Sequence, residues 1–213
     1  MKEIPKSLLK VGEKSIIEHN IDRLIRYGVK NFHISINHFG DKIESHFKDR
    51  QDNGIAFSFV KESQPLGTAG AIRLIRDIQS EVVLLMNADL LTNIDFGSFY
   101  QKFMLSGADM AVATVPHRVD MPYAIIESAD DRVISLQEKP TYTYFANAGI
   151  YLMKNEVLKL VPQDTFFNAT DLMDAVLAKG MRLIHYPILE YWLDIGRIND
   201  YEKAQEDIRF IKL

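Results

Sequence analysis

Val82-Val83-Leu84-Leu85-Met86-Asn87-Ala88-Asp89 is the stretch of sequence that decides the fold of this chain. Its first five residues are an unbroken apolar run, which is typical of a parallel strand covered on both faces. Asp89 follows where that strand ends, and ligands of open α/β sheets bind outside the carboxyl ends of the strands. A desolvated carboxylate there needs a positive partner, and a divalent cation is the usual one. The competing interpretation of Asp89 is a capping residue at a strand–helix junction.

The segments on both sides of this strand alternate between helical and strand periodicity. Ser15 and Glu18 predict a capping box for a helix that stops at Gly28. Further helices are predicted at 41–48, 68–76, 95–105, 168–179 and 199–211. Strands are predicted at 31–36, 55–59, 82–86, 110–115, 124–127, 133–137, 148–153 and 183–186. This order predicts a doubly wound, mostly parallel α/β sheet with a small antiparallel addition.

Composition and length exclude several classes of protein. The 213 residues are 47% hydrophobic and 25% charged, which is ordinary globular usage, and they suit a single domain over 1–213. A substrate-binding lobe within 119–198 is the alternative organisation. The formal net charge of −4 disfavours binding to nucleic acid or to an anionic membrane surface. The absence of cysteine excludes disulfides, zinc–thiolate sites and cysteine nucleophiles. No segment resembles a signal peptide or a membrane span, so we expect a cytoplasmic protein.

Three further segments have residue types that suit a binding site. The connection 64–71 is rich in small residues, and Gly67 would let a ligand approach the backbone before a helix that Thr68 could cap. The competing interpretation is a plain tight turn. It is not a dinucleotide fingerprint, because the chain contains no G-x-G-x-x-G, which disfavours a nicotinamide oxidoreductase.

The other two segments contain acidic residues that could belong to a binding site. Glu138 and Lys139 precede Pro140 and offer an acceptor for hydroxyls and a point charge for phosphate, although such a pair is usually a solvated one. Asp194 lies between apolar neighbours and precedes Gly196, so it is either a second carboxylate in need of a partner or a structural cap for the last helix.

Together these segments resemble the sugar-1-phosphate nucleotidyltransferase family. The resemblance rests on six segments in the family's order: 5–12, 65–71, 87–89, 138–140, 147–151 and 192–197. It covers essentially the whole chain, and six ordered motifs are far more specific than any one. The resemblance implies a Rossmann-like nucleotide-binding fold and an enzyme that joins an NTP and a sugar 1-phosphate into an NDP-sugar, with release of pyrophosphate.

The resemblance also implies roles for particular residues. It assigns Asp89 and Asp194 to one Mg²⁺ ion, Lys6 to the nucleotide phosphate and Lys139 to the sugar phosphate. The nucleotide-binding residues would be Gln64, Gly67, Thr68 and Asn87. The sugar-binding residues would be Glu138, Lys139, Asn147 and Gly149.

One part of the family pattern is missing ahead of Pro5. Members open with an apolar strand that is central in the sheet, followed by a Gly-Gly-x-Gly-x-Arg-Leu loop around the triphosphate. We therefore expect this chain alone to be a weak or inactive catalyst. A truncated start is the favoured explanation; the alternatives are a non-catalytic nucleotide-sugar-binding or regulatory paralogue and a partner chain that supplies the strand. The exposed sheet edge also favours homo-oligomers.

Overall fold

The computed structural model describes residues 4–48, 50, 54–211 and 213, and these form a mixed α/β fold. The helices are α1 (Ile16–Arg26), α2 (Gly40–Phe47), α3 (Gly67–Gly70), α4 (Phe96–Ser106), α5 (Ala169–Ala178) and α6 (Ile198–Asp207). The strands are β1 (Lys10–Val11), β2 (Lys14–Ser15), β3 (Asn31–Ile36), β4 (Ala56–Lys61), β5 (Val82–Met86), β6 (Leu90–Thr92), β7 (Met110–Asp120), β8 (Ile125–Ala129), β9 (Arg132–Gln137), β10 (Thr141–Lys154), β11 (Leu183–Pro187) and β12 (Trp192–Asp194). Short 3-10 helices cover Lys6–Leu8, Ala71–Leu74 and Asn155–Leu160.

The largest sheet has four strands in the order β11, β7, β10, β5. Strands β11 and β7 are parallel, whereas β10 is antiparallel to both of its neighbours, β7 and β5. The pair β3–β4 is parallel, and the pairs β1–β2, β6–β12 and β8–β9 are antiparallel. The predicted fold class is confirmed, with one local difference: among the described residues the only strand paired with β5 is antiparallel to it.

The apolar core lies on both faces of the sheet. One cluster joins α1, α2 and α4 to β3 and the larger sheet, and the other joins α5 and the 3-10 helices to the opposite face. Strand β5 contributes to both, because Val82, Leu84 and Met86 pack on the first cluster while Val83 and Leu85 pack on the second. This alternation is what a strand covered on two faces requires.

Helix α1 is fixed at both its start and its buried face. The predicted capping box is confirmed: the Ser15 backbone N–H donates to the Glu18 carboxylate at 2.8 Å. The buried Asn20 side chain donates to the Leu90 carbonyl at 2.8 Å, and Arg23 donates to the Ile94 carbonyl. These contacts hold α1 against β6, the strand that directly follows Asp89, and against the segment after β6.

Several predicted elements differ in length from those observed, and the helix predicted at 199–211 ends at Asp207. The helix predicted at 68–76 is an α-helix only over Gly67–Gly70, continues as a 3-10 helix and ends where Ile75 takes an extended conformation. Strands β7 and β10 run beyond the predicted 110–115 and 148–153, and they pair along Thr141–Asn147 with Thr114–Asp120. Those added residues are mostly exposed, so no hydrophobic pattern marked them as strand. None of the described helices is both long and apolar enough to cross a membrane.

Replacement of Asn20 tests the contact that holds α1 on β6. We expect Asn20→Ala to lower the free energy of unfolding by about 1–3 kcal/mol, because the Leu90 carbonyl would lose its buried donor. Chemical denaturation measures the change, and Asn199→Ala on the exposed side of α6 is the control. Equal stability of Asn20→Ala and the unsubstituted protein would contradict this role.

Candidate functional site

The pairing of β6 with β12 brings Asp89 and Asp194 together. Asp194 lies opposite Leu90 in this antiparallel pair, and the Ile195 N–H donates to the Asp89 carbonyl at 3.1 Å. Because β6 is fully buried, the β6–β12 pair is anchored in the core. Asp89 and Asp194 lie at the end of this pair that reaches the surface. The structure therefore places these two residues as neighbours, although they are distant in sequence.

The electrostatics of Asp194 reflect that proximity. Asp194 as a residue is exposed, yet partial burial of its carboxylate raises its pKa, and the nearby charges of Asp89 and Asp200 raise it further. Lys6 acts in the opposite direction on the pKa of Asp194. The Lys6 ammonium donates to the Gly196 carbonyl at 2.8 Å, so one cation lies beside two carboxylates that repel each other.

A large cavity adjoins this pair. Its volume is about 1200 Å³, and five of the predicted site residues line it: Lys6, Gly67, Thr68, Asn87 and Asp89. The cavity extends between β3 and β5 and is flanked by α1. Asp194 lies beside these residues because its strand, β12, pairs with β6, the strand that follows Asp89. These residues come from four separate parts of the chain.

The Gly67 loop packs tightly against the start of α5. Gly67 has a φ of +74°, and a Cβ atom there would lie 2.8 Å from both the Asn168 Oδ1 and the Phe167 carbonyl oxygen. The Thr68 backbone N–H donates to Asn168 Oδ1 at 3.4 Å, and the Ala169 N–H donates to Thr68 Oγ1 at 2.8 Å. Thr68 thus supports α5, whereas capping of its own helix was predicted.

A second close approach joins the end of β5 to the middle of β10. The Asn87 N–H donates to the Gly149 carbonyl at 2.9 Å, and a Cβ atom on Gly149 would lie 2.7 Å from Asn87 Nδ2. Asn147 accepts from the Gly149 N–H at 2.9 Å and donates to the Tyr151 hydroxyl at 2.8 Å. Asn147 and Gly149 therefore shape the irregularity in β10 that lies beside Asn87.

The remaining predicted residues lie outside the cavity wall. Glu138 and Lys139 are exposed between β9 and β10, and Lys139 has a φ of +43°. Gln64 is exposed, and its side chain donates to the Asp164 carbonyl at 3.2 Å. Their predicted roles in binding sugar and base remain predictions.

This site offers two carboxylates to a cation and does not supply a complete set of protein ligands. Within residues 4–48, 50, 54–211 and 213, no group of three His, Asp or Glu side chains could hold a metal ion. Mg²⁺ is commonly bound through one or two carboxylates plus waters and substrate phosphates. The Asp89–Asp194 pair, with a raised pKa on Asp194, fits that donor set.

Asn168 is a residue of the site that sequence reasoning did not identify. Its side chain accepts from Thr68 while its backbone N–H donates to Asp171 at 2.7 Å at the start of α5. The Asn168–Asp171 spacing is a visible capping signal for α5. Nothing in the sequence indicated that the same side chain supports the Gly67 loop.

A family model described as nucleotidyl transferase matches residues 2–210. The chain belongs to this family. A D-glycero-alpha-D-manno-heptose 1-phosphate guanylyltransferase of Aneurinibacillus thermoaerophilus is 26% identical over 97% of this chain and 90% of its own length. The UTP–glucose-1-phosphate uridylyltransferase of Synechocystis is 24% identical over 94% of this chain.

Solved structures agree with the family. HddC from Yersinia pseudotuberculosis, crystallised with GMP-PN, has a TM-score of 0.73 and 25% identity, over 96% of this chain and 90% of that one. The chain spans only 57% of the Synechocystis relative. The family resemblance expected from the sequence is confirmed, as is the nucleotidyltransferase fold.

Substitution of Gly67 tests the packing of this loop against the start of α5. We expect Gly67→Ala to destabilise the protein by about 1–3 kcal/mol more than Gly180→Ala, because both glycines have a left-handed backbone but only Gly67 has atoms within reach of a new Cβ. Chemical denaturation of both variants measures the difference. Equal losses would show that the close contact with Asn168 contributes nothing.

The carboxylate pair has its own electrostatic test. We expect Asp89→Asn to lower the pKa of Asp194, because removal of the neighbouring negative charge makes ionisation easier. A carboxyl-detected NMR titration measures this pKa, and Asp174→Asn on the exposed face of α5 is the control. An unchanged Asp194 pKa in Asp89→Asn would mean that the two groups do not interact.

Proposed function

We propose that this protein transfers a nucleoside monophosphate from an NTP to a sugar 1-phosphate and releases pyrophosphate, for the synthesis of activated sugars. The observation that carries the proposal is the convergence of Asp89, Asp194 and Lys6 beside a cavity that the Gly67 loop and Asn87 also line. The names of the relatives, which are sugar-1-phosphate guanylyl- and uridylyltransferases, support the same chemistry.

The proposed reaction needs little proton transfer. An oxygen of the sugar phosphate attacks the α-phosphorus of the NTP, the bond from that phosphorus to the bridging oxygen breaks, and pyrophosphate leaves with the electron pair. The nucleophile is already an anion near neutral pH, so no strong base is required. The barrier arises from bringing two polyanions together, and it falls through positioning and charge neutralisation.

The residues present divide that work between them. Lys6 supplies a fixed positive charge beside the carboxylate pair, and the Gly67 loop offers a close backbone approach for the nucleotide. Asp89 and Asp194 would hold a Mg²⁺ ion, which neutralises phosphate charge when bound. Because the pKa of Asp194 is raised, cation binding should weaken as the pH falls through that pKa. Lys139, on an exposed turn, is proposed to hold the sugar phosphate.

The proposed location of the protein is the cytoplasm, where nucleoside triphosphates are made, and homo-oligomer formation remains a prediction.

Substitution of the acidic pair tests the function. We expect Asp89→Ala and Asp194→Ala each to slow pyrophosphate release by a factor of about 10² or more, because each removes a principal electrostatic group. Single-turnover assays with excess protein, a sugar 1-phosphate and each of GTP, UTP, CTP and dTTP detect slow transfer. Asp174→Ala is the matched control.

The outcomes separate this enzyme from a binding module. Calorimetry with NDP-sugars runs beside the assay, because a non-catalytic paralogue would bind them without any Mg²⁺-dependent turnover. Turnover by Asp89→Ala close to that of the unsubstituted protein would overturn the proposed site. Neither binding nor turnover with any of the nucleotides would overturn the proposed function itself.

A further inference from the structure

Helix α6 contacts the backbone of the segment that follows Lys6. The Gln205 side chain donates from Nε2 to the Lys10 carbonyl at 2.6 Å, and its Oε1 accepts from the Gly12 N–H at 3.2 Å. The Tyr201 hydroxyl also donates to the Lys10 carbonyl, at 2.7 Å. One amide side chain therefore bonds to two main-chain groups of a short segment, as a neighbouring strand would do.

These hydrogen bonds form a closed network. Gln205 Nε2 has two hydrogens to donate, and it donates to the Tyr201 hydroxyl at 2.8 Å as well as to the Lys10 carbonyl. Both side chains of the network are partly buried on α6. Gln205 takes part in three of the four hydrogen bonds, so its replacement would remove most of the network.

Apolar packing holds α6 against the same segment. Val11 and Ala204 are fully buried in one small cluster, together with Ile195. Ile195 directly follows Asp194, so this cluster joins β12 and α6 to the β1 strand that contains Val11. The end of β12 and the segment 10–12 are therefore fixed relative to each other.

Lys6 lies between these two fixed points. Its ammonium donates to the Gly196 carbonyl at 2.8 Å, and Gly196 lies between Asp194 and the start of α6. Lysine has a long flexible stem, and this contact is exposed, so the side chain alone does not set its own position. Only three residues separate Lys6 from Lys10, and the Leu9 N–H donates to the Lys6 carbonyl at 3.0 Å. Movement of Lys10 would therefore move Lys6.

We propose that Gln205, assisted by Tyr201, is a positioning residue that fixes the Lys6 ammonium beside the Asp89–Asp194 pair. Gln205 is not among the described residues that line the cavity, whereas Lys6 and Asp89 are. Gln205 therefore acts through the segment that carries Lys6. The inference rests on the proposed function, in which Lys6 neutralises the charge of a nucleotide phosphate, but the anchoring of Lys6 can be measured without turnover.

The competing explanation is that Gln205 only stabilises the fold. In that case Gln205→Ala would lower the free energy of unfolding and would leave Lys6 equally ordered in the folded protein. The order of the Lys6 segment in the folded state therefore distinguishes the two explanations.

Backbone 15N relaxation by NMR measures this order directly. We expect Gln205→Ala to lower the order parameters of residues 6–9 from about 0.85, typical of rigid backbone, toward the value of about 0.6 that marks flexible backbone. Glu206→Ala, at the exposed neighbouring position of α6, is the matched control and should leave them unchanged. Unchanged order parameters at Lys6 in Gln205→Ala would overturn the proposal.

A double-substitution cycle tests whether Gln205 acts through Lys6. We expect Gln205→Ala to slow single-turnover pyrophosphate release about tenfold at saturating NTP and to change the KM for NTP less than about twofold, because a displaced charge matters most at the reacting phosphorus. In a Lys6→Ala background the same substitution should have no further effect, since the group that it positions is gone. A general loss of structure would slow both backgrounds equally, and losses that multiply in this way would overturn the proposal.

Failure of the proposed function would be recognised separately. If the unsubstituted protein neither binds nor turns over any nucleotide, the proposed function fails, and the relaxation data alone decide whether Gln205 anchors Lys6. If Gln205→Ala does not fold, Tyr201→Phe provides the comparison, because it removes one donor to the Lys10 carbonyl and retains the ring. The supporting and contradicting results are then the same as for Gln205→Ala.

Discussion

The site depends on the short antiparallel pairing of β6 with β12. Leu90, Leu91 and Thr92 are buried. Their pairing with residues 192–194 places a segment near the end of the chain beside a segment from its middle. Without that pair, Asp89 and Asp194 would be two unrelated acidic residues. Partial burial and the nearby charge of Asp89 raise the pKa of Asp194, and the charge of Lys6 opposes that shift. Perturbed acidic groups of this kind concentrate at functional sites.

The same region contains an edge of the sheet. The cavity lined by Asn87 and Asp89 extends between β3 and β5. Among the described residues, β5 pairs with β10 on one side only. The residues proposed to neutralise phosphate charge directly follow this edge strand.

Sequence patterns predicted the elements well and the contacts between them only in part. Hydrophobic periodicity located α1, β3 and β5, because one buried face or a fully apolar run leaves a clear signal. It underestimated β7 and β10, whose outer residues are held by pairing and remain exposed. Ordered motifs indicated Asp89 and Asp194 as partners, which no local pattern could do. The support of the Gly67 loop by Asn168 was missed because it joins distant segments through one side chain.

We propose that these two carboxylates form one cation site next to a bound nucleotide. Mn²⁺ prefers the same oxygen ligands as Mg²⁺ and broadens nearby NMR signals. The decisive measurement is a Mn²⁺ titration of the protein with a non-hydrolysable NTP analogue bound. We expect the signals of Asp89 and Asp194 to broaden together and before those of other residues. Broadening centred elsewhere, or on only one of the two residues, would contradict it.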